Sequence, residues 1–446
     1  MPFVPTRFIH ASNLRLDHQP QGVGAVSRES QTSLEDCTLT TFEEIIKTCL
    51  KQEIDFLLLT GNTFIDEDYS IRARFALIDG FQQLASKNIQ VFIIPGQHDP
   101  LSAWDLQSNW PGNITFLSPQ DYDRLDIIFD EETVATIQIL DAAHYKMHQT
   151  LKLKKRNQLF NQENQRVFSI GCITSNATTD SANQSSKTKR TVPLSSSEEI
   201  LPLDLQTDES FEVPVDYLAL CKGTQQHTFE MQPGLAHHPG AAQGLNFDEC
   251  KNNSVTLITV NPEEALDQRS LNVAVVRWWV IELNLNSDIP QNQLKQLMKE
   301  ALLSRTQEDH ERLWMVRWDI KGSGKLFDSL RSFKNQNRLS IELTKEIKDR
   351  LPLLLEQSFS LQELGDQSSK EQSDLIQLYQ QQLEEYKTQT KTPLNQLLTQ
   401  TTQLNQTWHQ RLSALAAQAD EQHIFNTAIQ NGHSWLSISS AEEVHT

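Results

Sequence analysis

Polar side chains with catalytic potential follow an apolar run that ends near residue 95. The stretch VFIIPGQHDP, residues 91–100, passes from four apolar residues through Pro-Gly to Gln97, His98 and Asp99. An imidazole beside a carboxylate is a pair that binds metals or transfers protons. Alone, this turn predicts a catalytic or metal-binding site.

Two earlier apolar runs end in similar polar turns. RFIHA leads into ASNLRLD, which carries Asn13 and Arg15, and DFLLLT leads into TGNTFIDED, which carries Asn62. Segments with helical apolar spacing separate the runs, so the sequence predicts alternating strands and helices that cross over onto a parallel sheet. Because the carboxyl ends of parallel strands meet at one edge, we expect the three turns to converge.

Later parts of the chain predict a second sheet and two further regions. Shorter apolar runs such as VATIQIL, VFSIGCI, VDYLALC and SVTLITV indicate strands layered against the first sheet, and a Ser/Thr/Asn-rich stretch at 176–200 indicates a surface loop. The predicted domains are an α/β domain over 1–265, a small α/β domain over 270–345, and a glutamine-rich helical region over 346–446.

Composition excludes several classes of protein. With 39 Lys+Arg against 58 Asp+Glu the formal net charge is -19, which argues against a generic binder of nucleic acid or anionic membranes. The five cysteines include no CxxC pair, and no run is apolar enough for a membrane span or a signal peptide. We therefore expect a cytoplasmic protein in a reducing compartment, with no membrane association.

Six ordered segments carry a family resemblance. FIHASNLRLD, FLLLTGNTF and FIIPGQHDP, followed by GCITSN, YLALCKGTQ and HHPGAAQGLNFDE, resemble motifs of the calcineurin-like metallophosphoesterase superfamily, nearest the SbcD/YhaO-type branch of DNA repair exonucleases. The resemblance implies a four-layer sandwich, in which two mixed sheets are flanked by helices, followed by a small α/β domain. Members of the family use two divalent metals, such as manganese, to hydrolyse phosphoesters.

Matched residue by residue, the resemblance implies that most metal ligands are replaced here. The family's first-motif Asp and His, its bridging Asp, its metal-binding Asn and its three later ligand histidines are all absent. In chain order they fall on Asn13, Arg15, Asn62, Gln97, Thr174, Lys222 and Thr224. His98 and Asp99, the transition-state histidine and its neighbour, are the vestigial pair that stands unchanged.

The replacements change the net charge of the predicted ligand shell. Carboxylates have left the predicted ligand shell while a guanidinium and an ammonium have entered it, so two dications would be repelled. Asn62 cannot bridge two metals as a carboxylate does. The sequence therefore predicts a pseudoenzyme with no metal cofactor, in which His98 and Asp99 are structural remnants.

Two alternatives remain open for this site. Arg15, Lys222 and His98 could converge into a metal-free anion site. Alternatively, acidic residues near the lost ligands could serve as displaced ligands of an active phosphoesterase or DNA exonuclease; these are Asp17, Asp66 and Asp68.

Partners are implied chiefly by the resemblance. The family's phosphoesterase works with a coiled-coil ATPase of the SMC type, which suggests such a partner for residues 370–430, where apolar residues recur at helical spacing. A helical hairpin within the chain is the alternative. DNA ends are a second implied partner, although the net charge does not support them. Trp278 and Trp279 lie in one apolar run and are interpreted as core residues.

Overall fold

Strands and helices alternate along the chain in a computed structural model. It describes residues 3–24, 26–65, 70–96, 98–104, 110–117, 124–129, 131–141, 166–174, 215–221, 223–230, 234–250, 253–262, 266–285, 289–363, 378–379 and 381–383. The strands are β1 (Thr6–Ser12), β2 (Phe56–Thr60), β3 (Gln90–Ile94), β4 (Ile114–Phe116), β5 (Arg124–Phe129), β6 (Glu132–Asp141), β7 (Phe168–Thr174), β8 (Tyr217–Ala219), β9 (Gln226–Glu230), β10 (Leu235–Pro239), β11 (Ser254–Val260), β12 (Leu266–Asn272), β13 (Val276–Leu285), β14 (Leu313–Gly322) and β15 (Leu354–Glu363). The helices are α1 (Arg28–Glu35), α2 (Cys37–Gln52), α3 (Ile71–Ala85), α4 (Leu101–Trp104), α5 (Gln291–Leu303), α6 (Lys325–Leu330) and α7 (Phe333–Ile347).

The first sheet has six strands in the order β12-β11-β1-β2-β3-β4. Strands β1 to β4 are parallel, whereas β11 runs antiparallel to β1 and β12 runs antiparallel to β11. Strands β2 and β3 contain continuous apolar runs because both of their faces are buried, as parallel strands require, and β1 is buried in the same way although it includes His10. The predicted alternation of strands and helices onto a parallel sheet, over the first hundred residues, is confirmed.

A second six-stranded sheet, in the order β5-β6-β7-β8-β10-β9, packs against the first. Its central strands are parallel and its edge strands β5 and β9 are antiparallel. Aromatic side chains from both sheets fill the space between them, with the rings of Phe8 and Tyr217 5.7 Å apart. The predicted pair of layered mixed sheets is therefore confirmed.

Helices α2 and α3 cover the opposite face of the first sheet. Phe42 and Ile46 of α2 approach α3 at Gly80, where a Cβ atom would lie 2.7 Å from the Phe42 ring. Glycine at this position lets the two helices pack closely on the sheet. The predicted fourth layer, on the outer face of the second sheet, stays a prediction because 142–165 and 175–214 lie outside the described residues.

Beyond residue 275 the chain forms a three-stranded sheet, in the order β13-β14-β15, and the helices α5 to α7. Helix α7 buries a stripe of Leu339, Leu343 and Ile347, spaced four residues apart. The whole chain divides into two compact units. The first comprises Met1–Glu282, Asn292–Asp319 and Lys334–Ser360, and the second comprises Leu283–Gln291, Ile320–Phe333 and Leu361–Thr446.

The prediction of a helical region over 346–446 is wrong at its beginning. Helix α7 ends at Ile347 and strand β15 follows. Phe359 and Leu361 alternate with serines in β15, and this period of two indicates a strand in spite of the neighbouring glutamines. Most of 370–430 lies outside the described residues, so the predicted helical stripes there stay predictions. Among the residues that the structure describes, no helix is long and apolar enough to cross a membrane.

Candidate functional site

The three polar turns meet at one edge of the first sheet, as the sequence predicts. Strands β1, β2 and β3 are parallel neighbours, so their carboxyl ends lie side by side. The ladder continues into the turns, where the Asn13 N–H donates to the Gly61 carbonyl at 3.2 Å and the Arg15 N–H donates to the Asn62 carbonyl at 3.0 Å. These backbone bonds fix the first turn against the second.

Left-handed backbone conformations concentrate in the same turns. Asn13 has φ 49°, Arg15 has φ 48° and Asn62 has φ 51°. Asparagine tolerates this region, whereas an arginine there is strained by about 1 kcal/mol. The Arg15 conformation persists because hydrogen bonds hold both its backbone and its side chain.

Two asparagine side chains form the centre of the edge. The Asn62 amide donates through Nδ2 to Asn13 Oδ1 at 2.8 Å. The Asn13 amide in turn donates through Nδ2 to the carbonyl of Gly223, in the turn that follows β8. The centre of the edge therefore consists of neutral amides that bond to each other and to backbone.

Arg15 is paired with a carboxylate instead of facing an open site. Its guanidinium donates to both carboxylate oxygens of Glu249, at 2.8 and 2.7 Å, and through Nη2 to the Gln243 carbonyl at 2.8 Å. The side chains of Arg15 and Glu249 are only 7% and 12% exposed. A bidentate pair with this degree of burial neutralises the cation that the sequence offered as an anion ligand.

Asp99 joins the second and third turns. Its carboxylate accepts the backbone N–H groups of Asn62, Thr63 and Gly96 at 2.8–2.9 Å, and the side chain is fully buried. Burial raises the pKa of the Asp99 carboxyl to about 6, against the opposing effect of the N–H donors. The residue acts as a structural clamp between loops.

The structure describes only some of the other predicted site residues. His98 is half-buried, and no hydrogen bond to its ring is found in the part of the chain that the structure describes. The Thr224 carbonyl accepts the Ala241 N–H at 2.8 Å. Thr174 ends β7. Gln97, Lys222, Asp66 and Asp68 lie outside the described residues, so the predictions for them stay predictions.

The described donor set does not fit a pair of divalent cations. Within the described ranges, no cluster of three His, Cys, Asp or Glu side chains could hold a metal. The one buried oxygen at the edge that lacks a hydrogen bond, among the residues described there, is Asn62 Oδ1, a single neutral ligand. Asp17, a candidate displaced ligand, accepts from Ser70 Oγ and lies 3.7 Å from Arg72 Nη1. Hard dications require several oxygen or nitrogen ligands with net negative charge.

A buried histidine cluster behind the turns was missed by sequence reasoning. His10 of β1 bonds to Tyr217 Oη and Thr60 Oγ1, both at 2.8 Å. His237 of β10 bonds to Thr228 Oγ1 and Thr256 Oγ1, also at 2.8 Å. The ring centroids of the two histidines are 6.2 Å apart. The cluster joins the two sheets through neutral hydrogen bonds.

His238 connects this cluster to the turns. Its Nε2 lies 3.3 Å from Ser12 Oγ and 3.5 Å from Asn13 Nδ2, while Nδ1 accepts the Gly240 N–H at 2.9 Å. Burial lowers the pKa of His238 to about 3 and that of His237 to about 4. Burial and the two neighbouring histidines lower the pKa of His10 well below its usual value. All three rings are therefore neutral near pH 7. The adjacent pair HH in LAHHP was the available signal, since paired histidines in a strand are unusual for a simple core.

Cys172, which is buried, and Cys221, which is half-buried, lie near the histidine cluster. Burial raises the pKa of Cys221 to about 12 and raises that of Cys172 well above its usual value. Thiols held in the protonated form are poor nucleophiles, so burial disfavours a nucleophilic role for both residues.

A comparison with curated proteins finds a similar sequence. A stretch of 111 residues is 29% identical to the uncharacterized metallophosphoesterase YhaO of Bacillus subtilis (strain 168). The chain is similar to a metallophosphoesterase. The match covers 25% of this chain and 27% of YhaO, so the chain spans about a quarter of the length of that curated relative. No family model matches the sequence.

A solved structure also aligns with part of the chain. The crystal structure of TT1561 of Thermus thermophilus aligns over 60% of this chain and 99% of its own, at 11% identity and a TM-score of 0.30.

Proposed function

We propose that this chain is a metallophosphoesterase-like protein that has lost two-metal hydrolysis and keeps the fold as a scaffold or regulator. The observation that supports this proposal is the buried pair between Arg15 and Glu249. In the sequence resemblance Arg15 falls on a family imidazole ligand, and its guanidinium is paired with a carboxylate that cannot then bind a metal.

Electrostatics and ligand chemistry support the same proposal. Both Glu249 oxygens already accept hydrogen bonds from the Arg15 guanidinium, so the pair offers a dication neither a free carboxylate nor net negative charge. Asn13 and Asn62 satisfy each other with a hydrogen bond instead of presenting two carboxylates. Without metals, no water near these residues acquires the acidity needed for attack on a phosphoester.

The partners of the scaffold follow from the resemblance alone. We propose an SMC-type coiled-coil ATPase, bound through 370–430, or DNA ends as the assembly in which the chain works. Apolar residues at helical spacing in that region support a helix-in-groove contact.

Metal content and nuclease activity test the loss of catalysis directly. We expect purified full-length protein, dialysed against manganese and analysed by mass spectrometry, to retain less than one metal per chain. We also expect no chelator-sensitive cleavage of linear DNA. Two tightly bound metals with turnover that a chelator abolishes would overturn the proposal and favour an active enzyme with displaced ligands.

Restoring ligands provides a sharper test of the reason for the loss. The triple variant Asn13→Asp, Arg15→His, Asn62→Asp returns three family ligands to the edge. We expect it to remain inactive because Thr174, Lys222 and Thr224 are also replaced, and because Glu249 loses its partner. Manganese-dependent cleavage by this variant would show that the first two turns alone determine activity.

A further inference from the structure

Two arginines surround one tryptophan in a part of the fold that the proposed function does not use. Arg277 and Trp279 alternate along β13 and therefore point to the same face of the strand. The guanidinium carbon of Arg277 lies 5.0 Å from the Trp279 ring centroid. That of Arg305, in the connection after α5, lies 4.3 Å from the same ring. Two guanidinium groups therefore make cation–π contacts with the same ring.

Two carboxylates act on Arg277, Glu311 and Glu308, and among the described residues only Glu311 lies within ion-pair distance of it. Glu311 Oε1 lies 3.7 Å from Arg277 Nε, at the outer limit of an ion pair. The same carboxylate already accepts Trp314 Nε1 at 2.7 Å and Asn272 Nδ2 at 3.1 Å. Within the described part of the chain, no carboxylate lies within ion-pair distance of Arg305, so its charge is not balanced there.

Burial makes this imbalance costly. Burial lowers the pKa of Arg277, against the opposing effects of Glu311 and Glu308, and burial alone lowers the pKa of Arg305. Guanidinium groups that lose water without gaining a full counter-charge are destabilised, and an added anion would relieve this.

Unused hydrogen-bond donors occur at the same place. Among the described residues, Arg305 Nε and Trp279 Nε1 are buried without a hydrogen-bond partner. The neighbouring Trp278 differs, since it is 1% exposed and donates to the Gly244 carbonyl at 2.7 Å. The core interpretation of the sequence therefore holds for Trp278, while Trp279 is half-buried and has an unused donor.

We propose that Arg277, Arg305 and Trp279 form a binding site for a phosphate-type oxyanion. Guanidinium groups present planar donors that match phosphate oxygens, and an aromatic ring that holds them reduces the entropy lost on binding. The oxyanion is either a free phosphate compound or a phosphate of a nucleic-acid backbone. This site goes beyond the proposed function, because it does not depend on the loss of metals at the strand ends.

Binding measurements on full-length protein test the site. Inorganic phosphate is titrated by calorimetry, and a fluorescent single-stranded oligonucleotide is titrated by anisotropy. We expect wild type to bind at least one of them and Arg305→Gln to weaken that binding by about tenfold or more, as loss of a charged donor implies. Binding of phosphate alone identifies a free compound, and binding of the oligonucleotide alone identifies a nucleic-acid backbone.

Arg338→Gln is the matched control, since Arg338 is 73% exposed and pairs with Glu342 on its own helix. Equal affinity of wild type and Arg305→Gln, or no binding of either probe by wild type at millimolar concentration, overturns the proposal. Arg305 makes no ion pair among the described residues, so the variant is expected to fold. Protection of Arg305 by phosphate against an arginine-modifying reagent, followed by mass spectrometry, gives a second measurement on unmutated protein.

Discussion

The strand-end turns and the histidine cluster behind them are two buried polar regions that are stabilised in different ways. The turns rely on full charges, with Arg15 facing Glu249 and Asp99 facing three backbone N–H groups. The histidine cluster relies on neutral rings bonded to hydroxyl groups. Polar burial alone therefore does not identify a working site, because in both regions the groups mainly satisfy each other.

Removing the carboxylate that pairs with Arg15 is expected to lower the free energy of unfolding more than the other substitutions described below. Glu249→Gln leaves the Arg15 guanidinium buried without a counter-charge, which costs about 3–5 kcal/mol of unfolding free energy. Urea denaturation at pH 7 measures the change. The double variant Arg15→Met, Glu249→Leu removes both charges and is expected to recover most of the stability. A loss below about 1 kcal/mol in the single variant would show that the pair is not important for the fold.

Acid should act mainly on the histidine cluster. An unfolded chain protonates its histidines near pH 6.5, whereas the folded protein keeps His237 and His238 neutral down to a pKa of about 4 and about 3. The unfolded state therefore binds more protons in this window. Stability is complete above pH 6.5 and falls below it by about 1.4 kcal/mol per pH unit for each such histidine.

A non-titrating replacement isolates this effect. His10→Gln keeps a polar group beside Tyr217 and Thr60 but cannot bind a proton, so the slope of stability against pH should decrease. Denaturation at pH 7.5, 6.5, 5.5 and 4.5 measures the slope. An unchanged slope would mean that His10 does not contribute to the acid sensitivity.

Asp99 in the turns should show the opposite pH dependence. Because its pKa is raised to about 6, the folded protein binds the extra proton, and this contribution increases as pH falls through 6 and is lost as pH rises. Asp99→Asn removes it and places an amide against one N–H donor, at a cost of about 1–3 kcal/mol. The variant should be compared with wild type at pH 5 and pH 7.5, and equal differences at both values would contradict the raised pKa.

Asn62→Gly should have the smallest effect. Glycine relieves the left-handed conformation at φ 51°, while one neutral hydrogen bond to Asn13 is lost. The two terms are of similar size, so we expect a net change within about 1 kcal/mol. A loss of more than about 2 kcal/mol would show that the amide pair, rather than the backbone, holds the turns.

The sequence was sufficient for the parts of the fold with strong local patterns. Strands β2 and β3, which lead into two of the three turns, contain runs of four apolar residues, which is typical of a buried parallel sheet. The predicted helical segment between the first two strands forms two helices, α1 and α2, which meet at Asp36. Edge strands β9 and β12 were missed because they are half-exposed and polar, so neither periodicity nor hydrophobicity marks them.

The site was predictable in position but not in its bonding. The polar turns could be placed at one sheet edge from strand order alone. The partner of Arg15 could not, because Glu249 follows it by more than two hundred residues and only the folded sheet brings them together. The histidine cluster was hidden for the same reason, since His10 and His237 belong to different sheets.

The position of β1 in the first sheet has a consequence for synthesis of the protein. Strand β1 pairs with β2 on one side, but its other neighbour, β11, lies about 250 residues later in the chain. At ribosomal rates of about 5–20 residues per second, β1 waits roughly 10–50 s for that neighbour to emerge. During this time one edge of an apolar strand is unpaired, so nascent chains are expected to need a chaperone until β11 arrives.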